Sequence, residues 1–361
     1  MDGMQLYKPD NLYICPIKRI VMNNMSRILF LMVCSLLTAG GMISHAETVA
    51  VHDEADDPRD STLDVIGWFC KNDTLEYWIN ESSWKFNGAD TIKTSGVSTL
   101  VRLVVTDSTA SGYQMDYTFL KFESDSIADT PIGNYHNRIV ERLSNKIVGT
   151  TIKFETDECG AITRFNNLGQ IKKQAKGLFK EAKRELDDMP EIKKLKEMGI
   201  NLMDLVGKVD TDQLVEGYTK ELNLLFMWHG KTFNIGKKTS HEDATDTDFE
   251  NDSQVTVSTD TVAGTYSISA DVVSTIPQSL VKSLVGGFVS SLKDDKMSES
   301  FQKEFDSQVN VDATSDTYYR IDYMYNGWPC QLVSQSSTMI GNRGKAKQTY
   351  IDLHYYSLRN Y

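Results

Sequence analysis

Apolar and polar residues alternate with a period of two along several segments of this chain. Residues 113–119, 266–272, 319–325 and 351–355 carry apolar side chains at every second position. Strands of this kind have one buried face and one wet face, which is typical of antiparallel sheets. We therefore expect a shared apolar face, and its most prominent members are Tyr113, Met115, Tyr117, Phe119, Tyr266, Ile268, Tyr319 and Tyr323.

Between residues 168 and 226 the spacing becomes helical. Ile171, Ala175 and Leu178 recur three or four residues apart, with basic residues between them. Pro190 suits the first turn of a second helix, and Thr211 suits the cap of a third. The combined pattern predicts an α+β protein: an antiparallel β-sheet from two related halves, helices packed on one face, and a helical connector over 168–226.

Two segments, 104–117 and 257–270, align without gaps. The matching pairs are Val104/Val257, Thr106/Thr259, Asp107/Asp260, Ala110/Ala263 and Tyr113/Tyr266. Each segment is followed by helical spacing and then by a hairpin signal, near Gly160 in one case and at Asn326-Gly327 in the other. The shared order strand, hairpin, helix, hairpin predicts an internal duplication with halves at 65–167 and 227–361. The alternative is that unrelated hairpins resemble each other because turn chemistry is limited.

The N-terminus has the organisation of a secretory signal peptide. Basic residues precede an apolar run at 28–39, and Ser44-His45-Ala46 ends in small residues. The run is too short for a stable membrane span, which needs about 20 apolar residues. We predict a signal peptide over 1–46, of which 1–21 is an over-long start, and export to the periplasm or cell surface without a transmembrane anchor. Residues 47–64 are acidic and predict a disordered leader.

Charge and cysteine content narrow the range of partners. The chain carries a formal net charge of −12, and removing residues 1–46 takes away four basic and two acidic side chains, leaving −14. Such a balance argues against nucleic acid as a partner. Cys70, Cys159 and Cys330 remain, so an oxidising compartment permits one disulfide whose pairing the sequence leaves open.

Motifs for catalysis or cofactor binding are absent from the sequence. There is no HExxH, no Gly-x-Ser-x-Gly elbow and no Walker spacing. The acidic stretch 241–252 begins with His241 but lacks the EF-hand positions for Gly and Glu, so we interpret it as an exposed loop. We therefore predict no catalytic residue, no metal site and no cofactor.

Short Asp-Ser/Thr motifs, including Asp107-Ser108-Thr109 and Asp260-Thr261-Val262, resemble the O-glycosylation sites of exported Bacteroidota proteins. The strand-rich pattern of the chain, in segments such as 152–165, also resembles that of the uncharacterised secreted β-rich proteins of that phylum. The resemblance implies an envelope location and no particular activity. A sheet curved around helices would also be similar in fold to the half-barrels of LolA-type lipoprotein carriers, which is a fold analogy only.

The function predicted from these features is that of an exported, non-catalytic envelope protein. The eight residues of the apolar face form its candidate ligand-binding site, for a small apolar ligand or an envelope protein. Those residues could equally be ordinary core covered by helices. The alternative function is a structural or interaction protein of the cell surface, and a hydrolase without a recognisable motif is the least favoured.

Overall fold

The computed structural model describes residues 62–125, 146–187, 193, 211–243, 249–279 and 312–359. The predicted signal peptide, most of the acidic leader and the helical segment at 280–288 lie outside these residues. The strands of the described part are β1 (Thr62–Asp64), β2 (Thr74–Asn87), β3 (Asp90–Thr109), β4 (Gly112–Ser124), β5 (Thr151–Thr156), β6 (Ile162–Phe165), β7 (Thr232–Asn234), β8 (Gly236–Glu242), β9 (Glu250–Asp260), β10 (Thr265–Ile276), β11 (Ala313–Met324), β12 (Pro329–Ile340) and β13 (Arg343–Ser357). The helices described are α1 (Leu168–Asp187) and α2 (Thr211–Phe226).

Eleven of these strands form one continuous antiparallel sheet in the order β6-β5-β4-β3-β2-β13-β12-β11-β10-β9-β8. The predicted antiparallel pairing is thus confirmed. Strands β2 and β13, near opposite ends of the chain, pair at the centre and join two meanders into one sheet. Strands β1 and β7 form a separate two-stranded ladder.

The register aligns apolar residues into a row that crosses six strands. Each member is a direct cross-strand partner of the next: Val257, Ile268, Ile321, Leu332, Ile351 and Ile79. All six are buried. Cross-strand contacts of this kind are what stabilise a sheet, and each buried aliphatic side chain contributes about 1.5–3 kcal/mol. We call the face that carries this row the inner face and the opposite one the outer face.

Helix α2 contributes Leu222, Leu225 and Phe226 to the same hydrophobic cluster as the inner face, and α1 contributes Ile171. Their spacing of three or four residues places the apolar side chains on one side of each helix. No described helix is long and apolar enough to cross a membrane.

The predicted α+β class is wrong. The described residues form a mainly β protein, dominated by one eleven-stranded sheet, with α1 and α2 as its two helices. Helical spacing in the sequence indicated a separate layer of helices packed on one face, with the sheet divided between two halves. The sheet is instead continuous, because β13 pairs with β2. No local pattern in the sequence predicts this pairing. The duplication itself stays a prediction.

Candidate functional site on the two faces of the sheet

The eight predicted binding residues all lie on β4, β10 and β11, and the register places them on the inner face. Most of them are enclosed by the core: Tyr113, Met115, Tyr117, Phe119, Ile268 and Tyr323 are buried. Tyr266 and Tyr319 are partly buried and pack against the cluster. The structure therefore brings the predicted residues to one face, but most of their surface is occupied by neighbouring side chains.

An aromatic cluster fills one end of the inner face. Phe69 stacks on Trp328 with ring centroids 3.8 Å apart, and Phe226 packs edge-on against both. The Trp328 indole N–H donates to Asp73 (3.3 Å), which also accepts from the backbone N–H groups of Cys70 and Arg359. Asp73 thus ties together the start of β2, the β11–β12 turn and the C-terminal segment, so this cluster is structural.

His229 belongs to the same cluster. Its Nε2 lies 3.0 Å from the carbonyl oxygen of Gly327, and its ring packs against Phe69 and Phe226. Burial lowers the pKa of His229 to about 4, although its backbone hydrogen bonds oppose the shift. A neutral, buried, hydrogen-bonded imidazole of this kind is a core residue that stabilises the turn at Gly327.

A partly exposed polar cluster connects α2 to the inner face. Glu81 of β2 accepts from Lys220 of α2 (3.1 Å) and Lys347 of β13 (2.8 Å). Burial alone would raise the pKa of Glu81, but the two ammonium groups overcome it and lower the pKa to about 2. The side chains of Glu81, Lys220 and Lys347 are 28%, 37% and 46% exposed, so the cluster is a partly solvated ion-pair network that links the helix to the sheet.

The neighbouring Glu221 behaves in the opposite way. Only 7% of its surface is exposed, and burial, followed by the nearby charge of Glu81, raises its pKa to about 7. Burial, Glu221 and Glu81 together raise the pKa of the Tyr117 phenol well above its usual value, and its hydroxyl has no hydrogen-bond partner among the described residues. These groups sit beneath α2, so we assign them to the attachment of the helix.

The outer face carries a trough of about 510 Å³ over five adjacent interior strands, β2, β13, β12, β11 and β10. Two cross-strand rows supply the side chains that line it. One row is Trp84, Ala346, Ser337 and Asp316, and the other is Gln348, Gln335, Tyr318 and Asp271. We call this feature the sheet trough.

The sheet trough has two chemically different ends. Trp84 lies on β2, opposite a register irregularity at which β3 carries one extra residue, Thr94. Bulges of this kind often re-aim a side chain beside a functional site. Asp316 lies three strands away in the same row, which corresponds to roughly 14 Å at the usual strand spacing. Amide and hydroxyl groups line the floor between an aromatic end and an acidic end.

The acidic end is a pair of carboxylates on adjacent strands. Asp271 is the direct partner of Tyr318, two residues from Asp316 on β11. Oδ1 of Asp271 is enclosed and has no hydrogen-bond partner within the described residues. Burial, then the charge of Asp271 and a hydrogen bond to it, raises the pKa of Asp316. The two carboxylates therefore crowd each other.

Three partly buried carboxylates elsewhere on the sheet have cationic partners. Arg102 pairs with Glu76 at 2.7 Å, Arg164 with Glu155 at 2.8 Å, and Arg320 with Asp322 at 3.0 Å. Within the part of the chain that the structure describes, no lysine or arginine forms such a pair with Asp271 or Asp316. Asp271 is partly buried and Asp316 is exposed, so the acidic end differs from these three pairs in leaving a partly buried carboxylate without a cation.

The two ends of the acidic stretch predicted as a loop lie on strands: the pairing of β8 with β9 brings His241 of β8 and Glu250 and Asp252 of β9 close enough to share a metal ion. All three are exposed. Both ring nitrogens of His241 already face carboxylates, Nδ1 toward Asp252 (2.8 Å) and Nε2 toward Asp243 (3.2 Å), and these hydrogen bonds raise its pKa. A protonated imidazole has no free lone pair for a metal, so this geometry favours an ion-pair cluster.

The three cysteines Cys70, Cys159 and Cys330 are separate free thiols in the described structure. Burial is the first cause that raises the pKa values of Cys159 and Cys330, and neighbouring carboxylates add to it. Raised thiol pKa values reduce the thiolate fraction, which is the reactive form. Cys159 and Cys330 therefore lack the electrostatic environment of a nucleophile.

No family model matches the chain, and no curated protein matches it in sequence. A structure of lipovitellin, described by its lipid–protein interactions, aligns with 81% of this chain and 26% of its own at 10% identity and a TM-score of 0.39. This chain therefore spans about a quarter of the lipovitellin chain.

Two further structures align over most of the chain but with lower TM-scores. A porin-like protein from Bacteroides uniformis covers 81% of this chain and 99% of its own, at 7% identity and a TM-score of 0.17. An outer membrane channel from Pseudomonas putida covers 83% of this chain and 100% of its own, at 6% identity and a TM-score of 0.13. At these values the similarities support no argument about function.

Sequence reasoning missed the sheet trough. Its residues fall on the polar positions of alternating strands, which were interpreted only as a wet face. The signal that could have found it is the presence of large aromatic residues at such positions, namely Trp84 and Tyr318.

Proposed function

We propose that this chain is an exported, non-catalytic binding protein that holds its ligand in the sheet trough. The observation that supports the proposal is a concave site of about 510 Å³ at the centre of the sheet, with aromatic, amide, hydroxyl and carboxylate groups around it. Ligand sites combine aromatic surface with a few convergent polar groups in this way. The inner face offers less, because six of its eight predicted binding residues are buried in the core.

The trough also has a rigid base. Its five strands all lie in the interior of the sheet, and each is hydrogen-bonded on both sides. On the inner face, three residues further along three of these strands, Ile321, Leu332 and Ile351 are buried in the core. Side chains carried on such strands are held in place better than those on loops, and a preformed site reduces the entropy lost on binding.

The test is native mass spectrometry of the protein purified from its own cells. A bound small molecule is expected on the wild type and expected to be lost in the double variant Trp84→Ala, Gln335→Ala. Trp78→Ala is the matched control, because Trp78 lies outside the trough lining, against His354 and Lys121. Equal occupancy in wild type and double variant, or equal loss in the control, would contradict the proposal.

The second candidate site is the inner face, where the predicted small apolar ligand or envelope protein would bind. The observation that favours it is the partial exposure of Tyr266 and Tyr319, which are the two predicted residues that the core does not enclose. An apolar fluorescent probe should then bind the wild type, and Tyr319→Ser should weaken its binding severalfold while Trp84→Ala leaves it unchanged. Probe binding that responds to Trp84→Ala instead would exclude this site.

A further inference from the structure

The two ends of the sheet trough differ in a way that specifies the charge of its ligand. Asp271 and Asp316 are carboxylates without a cationic partner among the described residues, on a chain of net charge −12. Lys347 contributes to the lining, but its ammonium is bonded to Glu81. Arg320, further along β11 on the outer face, is bonded to Asp322 and also contacts the hydroxyl of Tyr318. The acidic end is therefore complementary to a positive group that the trough itself does not supply.

The rest of the trough suits an elongated ligand with a second positive group. Trp84 presents an indole ring at the far end, and indole is the ring that attracts cations most strongly. Gln335 and Gln348 lie between the two ends, where their amide oxygens can accept N–H donors. A bare divalent ion fits poorly, because it uses neither aromatic rings nor a trough roughly 14 Å long and prefers six or more oxygen ligands.

We infer that the sheet trough binds a linear aliphatic polyamine, with one terminal ammonium at Asp271 and Asp316 and the other end over Trp84. The ammonium approaches the carboxylates from the trough side and relieves their mutual repulsion by donating charge-assisted hydrogen bonds. The ring of Tyr318, beside Asp271, adds a second aromatic surface to that end. This inference rests on the proposed function and specifies its ligand class.

Isothermal titration of the purified protein with spermine, spermidine and putrescine tests the inference. Spermine is long enough to reach both ends of the trough, whereas putrescine reaches only one. We expect one spermine per chain and an affinity that decreases with chain length. Asp316→Asn should weaken binding of all three amines about tenfold, as loss of a charge-assisted bond predicts.

The tryptophan variant provides the more selective readout. Trp84→Ala should weaken spermine severalfold and leave putrescine unchanged, because only the longer chain reaches the indole. Asp352→Asn is the matched control: Asp352 lies on the outer face of β13, outside the trough lining, and accepts a hydrogen bond from the neutral Tyr350 hydroxyl (3.4 Å), so its loss should leave every amine affinity unchanged. Thermal unfolding of each variant verifies that it is folded.

The possible outcomes distinguish an error in the ligand class from an error in the location of the site. More than one spermine per chain, or equal weakening by Asp352→Asn, would mean general attraction of a polycation to an acidic protein and would overturn the inference. Binding of Ca²⁺ alone, or of a neutral maltohexaose that depends on Trp84 and Gln335, would overturn the polyamine class while preserving the trough as the site. No binding of any of these probes would overturn the inference, and the mass spectrometry above would then decide the proposed function.

Discussion

Glu221→Gln is the variant whose effect on stability can be derived most directly from the structure. Glu221 belongs to α2 and lies beside the polar cluster that links this helix to the sheet. Glu221 is almost fully buried, and its pKa rises from 4.5 to about 7 because burial and Glu81 disfavour the carboxylate. A shift of that size corresponds to about 3 kcal/mol of destabilisation of the folded state when Glu221 is ionised. Glutamine keeps the shape of the side chain and cannot ionise.

The direction of the pH dependence follows from the linkage between protonation and folding. A group whose pKa is raised on folding contributes stability that is fully present below pH 4.5 and lost as the pH rises through about 7. The neighbouring Glu81 has a lowered pKa, so its contribution is lost only as the pH falls from 4.5 toward 2. His229, whose pKa is lowered to about 4, loses its contribution as the pH falls below about 6.5, equally in both proteins.

The measurement is urea unfolding of wild type and Glu221→Gln at several pH values between 4 and 8. The stability of the variant relative to wild type should increase by about 3 kcal/mol over this range. Glu158→Gln, at an exposed position, is the control and should show a difference that does not change with pH. A relative stability of Glu221→Gln that stays flat from pH 4 to 8 would refute the assignment of Glu221 as a buried, destabilised carboxylate.

Three further variants test other parts of the structure. Trp328→Ala should lower the free energy of unfolding by about 3–5 kcal/mol in urea, because it removes the ring stacked on Phe69 and the donor to Asp73; a loss below about 1 kcal/mol would contradict its central role. Gly327→Ala should lower the thermal midpoint, since φ is 81° and the added Cβ would lie 2.2 Å from the Ile66 carbonyl oxygen; an unchanged midpoint would contradict that geometry. Asp316→Asn should raise the midpoint at pH 7 and leave it unchanged at pH 3, because it removes the repulsion with Asp271; a lowered midpoint at pH 7 would show that the pair is already compensated.

Local periodicity predicted which residues share a face. The alternation around Tyr113, Tyr266 and Tyr319 correctly placed these side chains on one side of an antiparallel sheet. This works because successive strand residues point to opposite faces, so the pattern needs no knowledge of strand order. The same information could not show that Tyr113 and Tyr117 would be buried while Tyr319 is only partly so, since burial depends on what packs above them.

The order of the strands in the sheet could not be predicted from the sequence. Ile79 and Ile351 are direct cross-strand partners although they lie near opposite ends of the chain, and neither segment carries a signal for the other. The prediction of an α+β class was wrong for this reason. Without the β2–β13 pairing, the strands divide into two small sheets, and the helical segments then make up a larger share of the predicted fold. The sheet trough could not be predicted for the same reason: Trp84, Ser337 and Asp316 meet only through that strand order.

The most direct test of the account is to locate the ligand on one face of the sheet. An NMR titration with spermine should follow the side-chain amide signals of Gln335 and Gln348, assigned by comparison with single glutamine variants, together with the ring signals of Tyr266 and Tyr319. The account predicts saturable, one-to-one shifts of the two glutamine amides and unchanged tyrosine rings. Shifts of the inner-face tyrosines with unperturbed Gln335 and Gln348 would contradict the trough as the binding site.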